Sequence, residues 1–287
     1  MDKFLQSMEL ITGTVRGLEE ISDSCFLKND KDRQLIPNRK EVIKVIKDLQ
    51  SLLFPNYFKH SEGSENVLSQ TELLLNIYSR LACQIEGACQ FNGTEMTDSP
   101  QEICDKFIEA LPTVKTLLIK DIEAIYEGDP AAKCHEEVLI CYPGFYAISI
   151  YRIAHVLYDL KAPLIPRIMT EYAHEKTGVD IHAGATIGEY FCIDHGTGIV
   201  IGETTTIGNR VKIYQGVTLG AKSFKVDENG NPVKNIKRHP DIGNNVVIYA
   251  NATILGGDTK IGDNCIIGGN TWLTSSVEDG KTVYYSN

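Results

Sequence analysis

The chain has 287 residues, 43% hydrophobic and 23% charged, with a formal net charge of −10. This length allows two domains with a core each, the composition is that of a globular protein, and the acidic balance argues against nucleic acid, whose phosphates need a basic surface. No stretch reaches the roughly 18 apolar residues that span a bilayer, and the eight cysteines, with no CxxC pair and no signal peptide, read as reduced thiols of a cytoplasmic protein rather than as metal ligands or disulfides.

About 35 residues at the start, including Lys28-Asn29-Asp30-Lys31, are polar and are expected to be poorly ordered. Apolar residues then recur at helical spacing. Val42, Ile43, Val45, Ile46, Leu49 and Leu52 mark one helix; Leu68, Leu73, Leu74, Ile77, Leu81 and Ile85 mark a second, with Ser69 and Glu72 placed for a capping box. Ile103, Phe107, Ile108, Leu111 and the run from Val114 to Ile125 predict one or two more, interrupted at Pro112. Gly128-Asp129-Pro130 reads as a stop with a new helix from Ala131, and Pro143 as a break before a helix over Phe145–Leu160 that leads to Pro163 and Pro166. Residues 1–176 are therefore expected to form an all-α domain. On its own it says little of function beyond packing or oligomerisation.

From Ile181 the chain repeats every six residues. Ile181, Ile187, Ile193, then Ile201, Ile207, Ile213, Leu219, then Ile242, Ile248, Ile254, then Ile261, Ile267, Leu273 form the ladder. A period of six fits a triangular prism in which each face uses one short strand and one turn, the anchor points to the axis, and the following Gly (Gly188, Gly202, Gly208) permits the turn. The expected fold is α+β: an N-terminal helical domain, then a left-handed parallel β-helix over 177–287, interrupted by a loop at 221–240. Its left hand departs from the usual crossover rule.

Two places in this prism exceed packing needs. Asp180 precedes the first anchor and Asp194-His195 follows the third, fifteen residues after Asp180 and just short of one coil. A carboxylate that fixes one imidazole nitrogen leaves the other free as a base, able to activate a hydroxyl; equally, these are residue types common in exposed turns. The long loop exits at Arg238-His239. Arg suits a carboxylate because its planar fork matches both oxygens, while Asp227-Glu228-Asn229-Gly230 is simply a turn signal.

The runs Gly178-Val179-Asp180-Ile181-His182, Ile193-Asp194-His195-Gly196-Thr197-Gly198-Ile199-Val200-Ile201-Gly202-Glu203-Thr204, Gln215-Gly216-Val217-Thr218-Leu219-Gly220 and Arg238-His239-Pro240 resemble serine O-acetyltransferase. Asp129-Pro130-Ala131 and the segment from Gly144 to His155 resemble its helical domain, so the likeness runs from about Asp129 to Val277. It implies acetyl transfer from acetyl-CoA to the hydroxyl of L-serine, with no metal. It also implies roles: His195 as base, oriented by Asp180; Asp129 and Asp194 on the serine ammonium; Arg238 and His239 on its carboxylate, supported by Glu203; Gly220, Ala221, Ala250 and Gly269 along the acetyl-CoA cleft. L-cysteine is the implied feedback inhibitor at the serine site, and the implied assembly is a homotrimer or a dimer of trimers.

Three departures stand out. The loop after Gly220 is long and Ala221 replaces a second Gly; Tyr249 precedes Ala250; and Tyr284-Tyr285-Ser286-Asn287 stands in place of a tail ending in Ile, so docking to the pathway's sulfhydrylase is not implied. Hexapeptide acetyltransferases of sugars or antibiotics share the repeat but lack the Asp129 and Arg238-His239 clamp. A γ-type carbonic anhydrase would need zinc-binding histidines from a set limited to His182, His195 and His239. A scaffold would show no turnover.

Overall fold

In the computed structural model, residues 2–24, 36–58, 69–92, 97–234 and 236–285 are described. The expectations for Lys28–Lys31, Leu68, Ser286 and Asn287 lie outside them. Internal contacts divide the chain into Met1–Leu35 and Ile36–Asn287. In the first unit the expectation of poor order is corrected over Asp2–Ser24, which form helix α1.

In the second unit α2 (Arg39–Leu53) starts at Asn38, whose side chain accepts from Lys40 N, and buries Val42, Val45, Ile46 and Leu49. α3 (Gln70–Asn92) starts on the expected capping box: Glu72 N donates to Ser69 Oγ and Ser69 N to Glu72 Oε2. α4 (Pro100–Gly128) is a single helix that runs through Pro112. The expected interruption is absent because Pro112 sits on the exposed face, where water can serve the carbonyl it leaves unpaired, while Leu111, Val114 and Leu118 hold both halves to the same core. The helix expected at Ala131 begins instead at α5 (His135–Cys141). Asp129 Oδ1 accepts from Ala131 N, a side-chain turn that keeps this stretch non-helical. α6 (Pro143–Asp159) and α7 (Ile165–Thr177) complete the helices. No described helix is long and apolar enough to cross a membrane.

Fourteen short strands follow among the described residues: β1 (Asp180–Ile181), β2 (Thr186–Ile187), β3 (Cys192–Asp194), β4 (Val200–Ile201), β5 (Thr206–Ile207), β6 (Lys212–Tyr214), β7 (Thr218–Gly220), β8 (Asp241–Ile242), β9 (Val247–Ile248), β10 (Thr253–Leu255), β11 (Lys260–Ile261), β12 (Ile266–Ile267), β13 (Trp272–Leu273) and β14 (Thr282–Val283). They pair in parallel as three sheets, β1-β4-β7-β10-β13, β2-β5-β8-β11 and β3-β6-β9-β12-β14, one per face of a prism of five coils. The ladder is in register: Ile181, Ile201, Leu219, Ile254 and Leu273 stack on one face, and Ile193, Ile213, Ile248 and Ile267 on another. The glycines after the anchors answer to a different cause from the one expected. Gly208 has no positive φ; a Cβ there would lie 2.7 Å from Asn244 Oδ1 and 2.8 Å from the backbone of Gly243, so it is the close approach of coils that excludes a side chain.

The three corners differ. The corner after the second strand of each coil is stapled by side chains: Asn209, Asn244, Asp263 and Asp279 each accept, through Oδ1, a backbone N–H from the coil before. The other two corners carry the candidate chemistry. Helices reach the first coil through a buried ion pair. Arg152 donates Nε and Nη2 to Asp121 at 3.0 Å each and its remaining N–H groups to the carbonyls of Ile187 and Gly188, while Asp121 Oδ1 also accepts from Phe191 N.

Candidate active site

The corner after β3 holds Asp194 and His195, and the end of α4 brings Asp129 to it. Asp129 Oδ2 accepts from Tyr142 OH at 2.6 Å; that bond, the one from Ala131 N, and the nearby charges of Lys212 and His195 hold its carboxyl below the ordinary range. The same bond pushes the Tyr142 phenol up to about 12. Asp194 Oδ2 lies 2.8 Å from Lys212 Nζ, which also donates to Gly128 O at the end of α4. Burial lowers the Lys212 pKa, but the hydrogen bonds to Asp194 and Tyr214 and the nearby negative charge together outweigh it, and the ammonium is held above its usual value. Two carboxylates and one clamped cation thus meet at this corner.

His195 has φ 59° and its side chain is 75% exposed. The expected hydrogen bond to Asp180 is not formed among the described residues; Nε2 lies 3.6 Å from Asp194 Oδ1 instead. The cause is local: the largely exposed ring projects from a left-handed turn, whereas Asp180 lies on the next face, in register with Val200.

The corner after β1 and β4 holds the other group. Arg238 Nη2 pairs with Glu203 Oε2, and Tyr158 OH donates to Glu203 Oε1 at 3.0 Å. Burial raises the Glu203 pKa, but the bonds from Arg238 and Tyr158 outweigh it and the carboxyl is held low. His239 is only 7% exposed, and burial together with the Arg238 charge lowers its pKa to about 4. His182 is likewise pulled down by burial, its Nδ1 accepting from Gly184 N at 3.0 Å. Both rings are neutral at pH 7. An open cavity of about 560 Å³, lined by Tyr158, Lys161, Arg167, His182 and Glu203 among others, adjoins this corner.

The four expected acetyl-CoA residues do not share one edge of this chain. Ala250 and Gly269 stack at the His195 corner, where a Cβ on Gly269 would lie 3.0 Å from Ala250 O. Gly220 pairs with Leu255 across the face and, with Ala221, opens the loop at the Arg238 corner. The sequence-predicted site is thus two groups separated by one prism face: Asp129, Asp194, His195, Ala250 and Gly269 on one side, Glu203, Arg238, His239, Gly220 and Ala221 on the other. Lys212, Tyr142, Tyr158 and Thr204 belong to these groups and were not anticipated. One signal was available for Tyr158: Tyr151, His155 and Tyr158 lie at helical spacing on α6, and all three turn polar tips to the first coils.

A prism of hexapeptide coils that carries an imidazole, paired carboxylates and an arginine at its corners defines an acyltransferase of the β-helix class. The family profile "Serine acetyltransferase, N-terminal" matches residues 60–149. The chain is 46% identical over 260 residues to a serine acetyltransferase encoded on a plasmid of Synechococcus elongatus, covering 86% of this chain and 81% of that one. Among solved structures, serine acetyltransferase 1 of Entamoeba histolytica in complex with L-cysteine superposes with a TM-score of 0.74 at 33% identity, covering 90% and 93% of the two chains. A serine acetyltransferase of Brucella abortus in complex with coenzyme A gives 0.58 at 26% identity, covering 88% and 81%. The chain belongs to the serine acetyltransferase family, and its solenoid is the left-handed β-helix of those structures.

Proposed function

We propose that His195 is the general base of acetyl transfer and that each active site is completed by two chains. The reaction is that of the family: the acetyl group of acetyl-CoA passes to the hydroxyl of L-serine to give O-acetylserine. His195 takes the hydroxyl proton as the serine oxygen attacks the thioester carbonyl carbon; the carbon–sulfur bond then breaks and the imidazolium returns the proton to the CoA thiolate. Asp129 and Asp194 hold the serine ammonium. Arg238 and His239, backed by Glu203, receive its carboxylate. Asp180 orients His195 once substrate fixes the ring. The acetyl-CoA arm runs past Gly220 and Ala221 of one chain and Ala250 and Gly269 of the other.

The observation that carries this reading is the split between corners. Base and ammonium carboxylates lie at one end of a prism face and the carboxylate clamp at the other, so a single serine cannot reach both in one chain. Three prisms packed in parallel, each presenting its Arg238 corner to the neighbour's His195 corner, close the site by a ring of heterologous contacts. L-cysteine, which replaces the serine oxygen by sulfur, uses the same ammonium and carboxylate groups and is the expected competitive inhibitor. Helices through residue 176 serve to seat Asp129 and the prism cap, coils over 177–287 to carry the chemistry, in a cytoplasmic enzyme. Release of free CoA from acetyl-CoA on adding L-serine tests the reaction. Mixed trimers of His195→Ala and Arg238→Ala chains test the sharing: at limiting serine their activity should exceed the sum of the two parent variants, and no gain on mixing would overturn the shared site.

A further inference from the structure

Resting on the reading of Arg238 and His239 as the carboxylate clamp, we infer that Thr204 is the positioning residue that locks His239 into one neutral tautomer, so that the ring offers substrate a donor and never an acceptor. Thr204 sits in the turn after β4, and His239 returns to it at the end of the long loop. The Thr204 hydroxyl accepts from Arg238 N at 3.0 Å and from His239 N at 3.1 Å. Those two bonds use both lone pairs of the oxygen, so its own hydrogen is left for the third neighbour, His239 Nδ1 at 2.9 Å. The backbone N–H of Thr204 donates to the same Nδ1 at 3.0 Å. A ring nitrogen that faces two donors cannot carry a proton, so the hydrogen of neutral His239 lies on Nε2.

The ring is fixed from its other side as well. Its Cδ2 and Nε2 lie over Gly202, where a Cβ would come within 2.1 and 2.2 Å of them. Lys237 Nζ donates to Thr204 O at 2.6 Å and to Asp241 Oδ1, which holds the turn against the loop exit. The charged and titratable groups that act on His239 are Arg238 and Lys237 of the loop, Glu203 beside Thr204, and His182 of the preceding coil; with burial, the two cations outweigh Glu203 and favour the neutral ring. An Nε2–H donor beside a guanidinium fits a carboxylate oxygen. It excludes His239 as a second base, since its only lone pair is already engaged.

The test compares Thr204→Val with Thr204→Ser and wild type by steady-state kinetics from pH 5 to 8. Valine keeps the shape and the backbone N–H but removes the hydroxyl. Its serine KM should rise about tenfold, near the value of one hydrogen bond, with acetyl-CoA KM and kcat within about twofold. The pH profile of serine KM should gain no acid-side bend, because burial and the Arg238 charge, which hold the His239 pKa near 4, remain in the variant. Thr204→Ser should restore the serine KM. An unchanged serine KM, or equal losses in both substrates and kcat in valine and serine variants alike, would overturn the inference. Should Thr204→Val not fold, Thr204→Ala gives the same readouts. Arg238→Ala and His239→Ala separate the two levels. If they too leave serine KM unchanged, the clamp itself is misassigned; if they raise it while Thr204→Val does not, only the tautomer lock fails.

Discussion

The two chemical corners of the prism are built to different standards of order. At the Arg238 corner every principal polar group is tied within the chain: Glu203 to Arg238 and Tyr158, His239 to Thr204, Lys237 to Asp241. At the opposite corner the carboxylates are tied, through Tyr142 and Lys212, but His195 is largely exposed, with only a loose approach of Nε2 to Asp194 Oδ1 at 3.6 Å. On the proposed roles, the difference separates a task that needs rigidity before substrate arrives from one that does not. A clamp that reads a carboxylate gains affinity by paying no ordering cost on binding. A base must move a proton in two directions, and its final alignment comes with the substrate.

The largest expected effect breaks the free side of this comparison. His195→Ala should lower kcat by about 10²–10⁴-fold, the usual worth of a general base, while circular dichroism and melting stay as in wild type because the side chain is largely exposed. Near-normal turnover would remove His195 from the mechanism. Next in size is the buried pair that ties α4, and with it Asp129, to the first coil. Arg152→Met leaves Asp121 fully buried without its cation, so that the carboxyl must take up a proton or stay unpaired, at a cost of about 3–5 kcal/mol. Urea unfolding measures it, and a loss under about 1 kcal/mol would mean that the helices are seated by apolar packing alone.

Much of this was legible in the sequence, for physical reasons that also mark where legibility ends. The anchors from Ile181 to Leu273 fall in register because each must fill the axis, and an error of one residue would turn it to solvent. Asp194-His195 and Arg238-His239 stood out as charged or imidazole groups at turns, whereas Asp129 read as a helix stop and entered the site only through the family resemblance. Pro112 was misread because intrinsic propensity takes no account of which face a residue occupies. Ala131 was misread because the Asp129 side chain competes for the backbone there. Thr204 was invisible, and Tyr158 legible only as a helical position, for a different reason: their partners lie 35 and 45 residues away, on another coil or another element, and only the stacking of coils brings them together. The division of the site between two corners follows from that same stacking.

The tied corner can be weakened by degrees. Arg238→Ala removes the charge that faces the substrate carboxylate and leaves Glu203 without its cation. Charge-assisted hydrogen bonds contribute about 1.5–3 kcal/mol, so serine KM should rise roughly 10–100-fold with little change for acetyl-CoA, and inhibition by L-cysteine should weaken by the same factor. Acetyl-CoA affected with serine untouched would move the loop exit to the CoA side.

The smallest effect belongs to Tyr158→Phe, which removes only the hydroxyl that holds Glu203 Oε1. The carboxylate keeps Arg238, so the corner stays charged and paired, but Glu203 can now rotate toward the cavity that Tyr158 lines. One neutral-to-charged hydrogen bond in a partly exposed setting is worth about 1 kcal/mol, and only part of it reaches the substrate, because Tyr158 acts on Arg238 through Glu203. Serine KM should therefore rise two- to fivefold at unchanged kcat. In the double variant Tyr158→Phe/Arg238→Ala the tyrosine effect should vanish, since the group that transmitted it is gone. A tyrosine effect that persisted in full without Arg238 would show that Tyr158 reaches the substrate by its own contact, and that the corner is ordered by the pocket rather than by its ion pair.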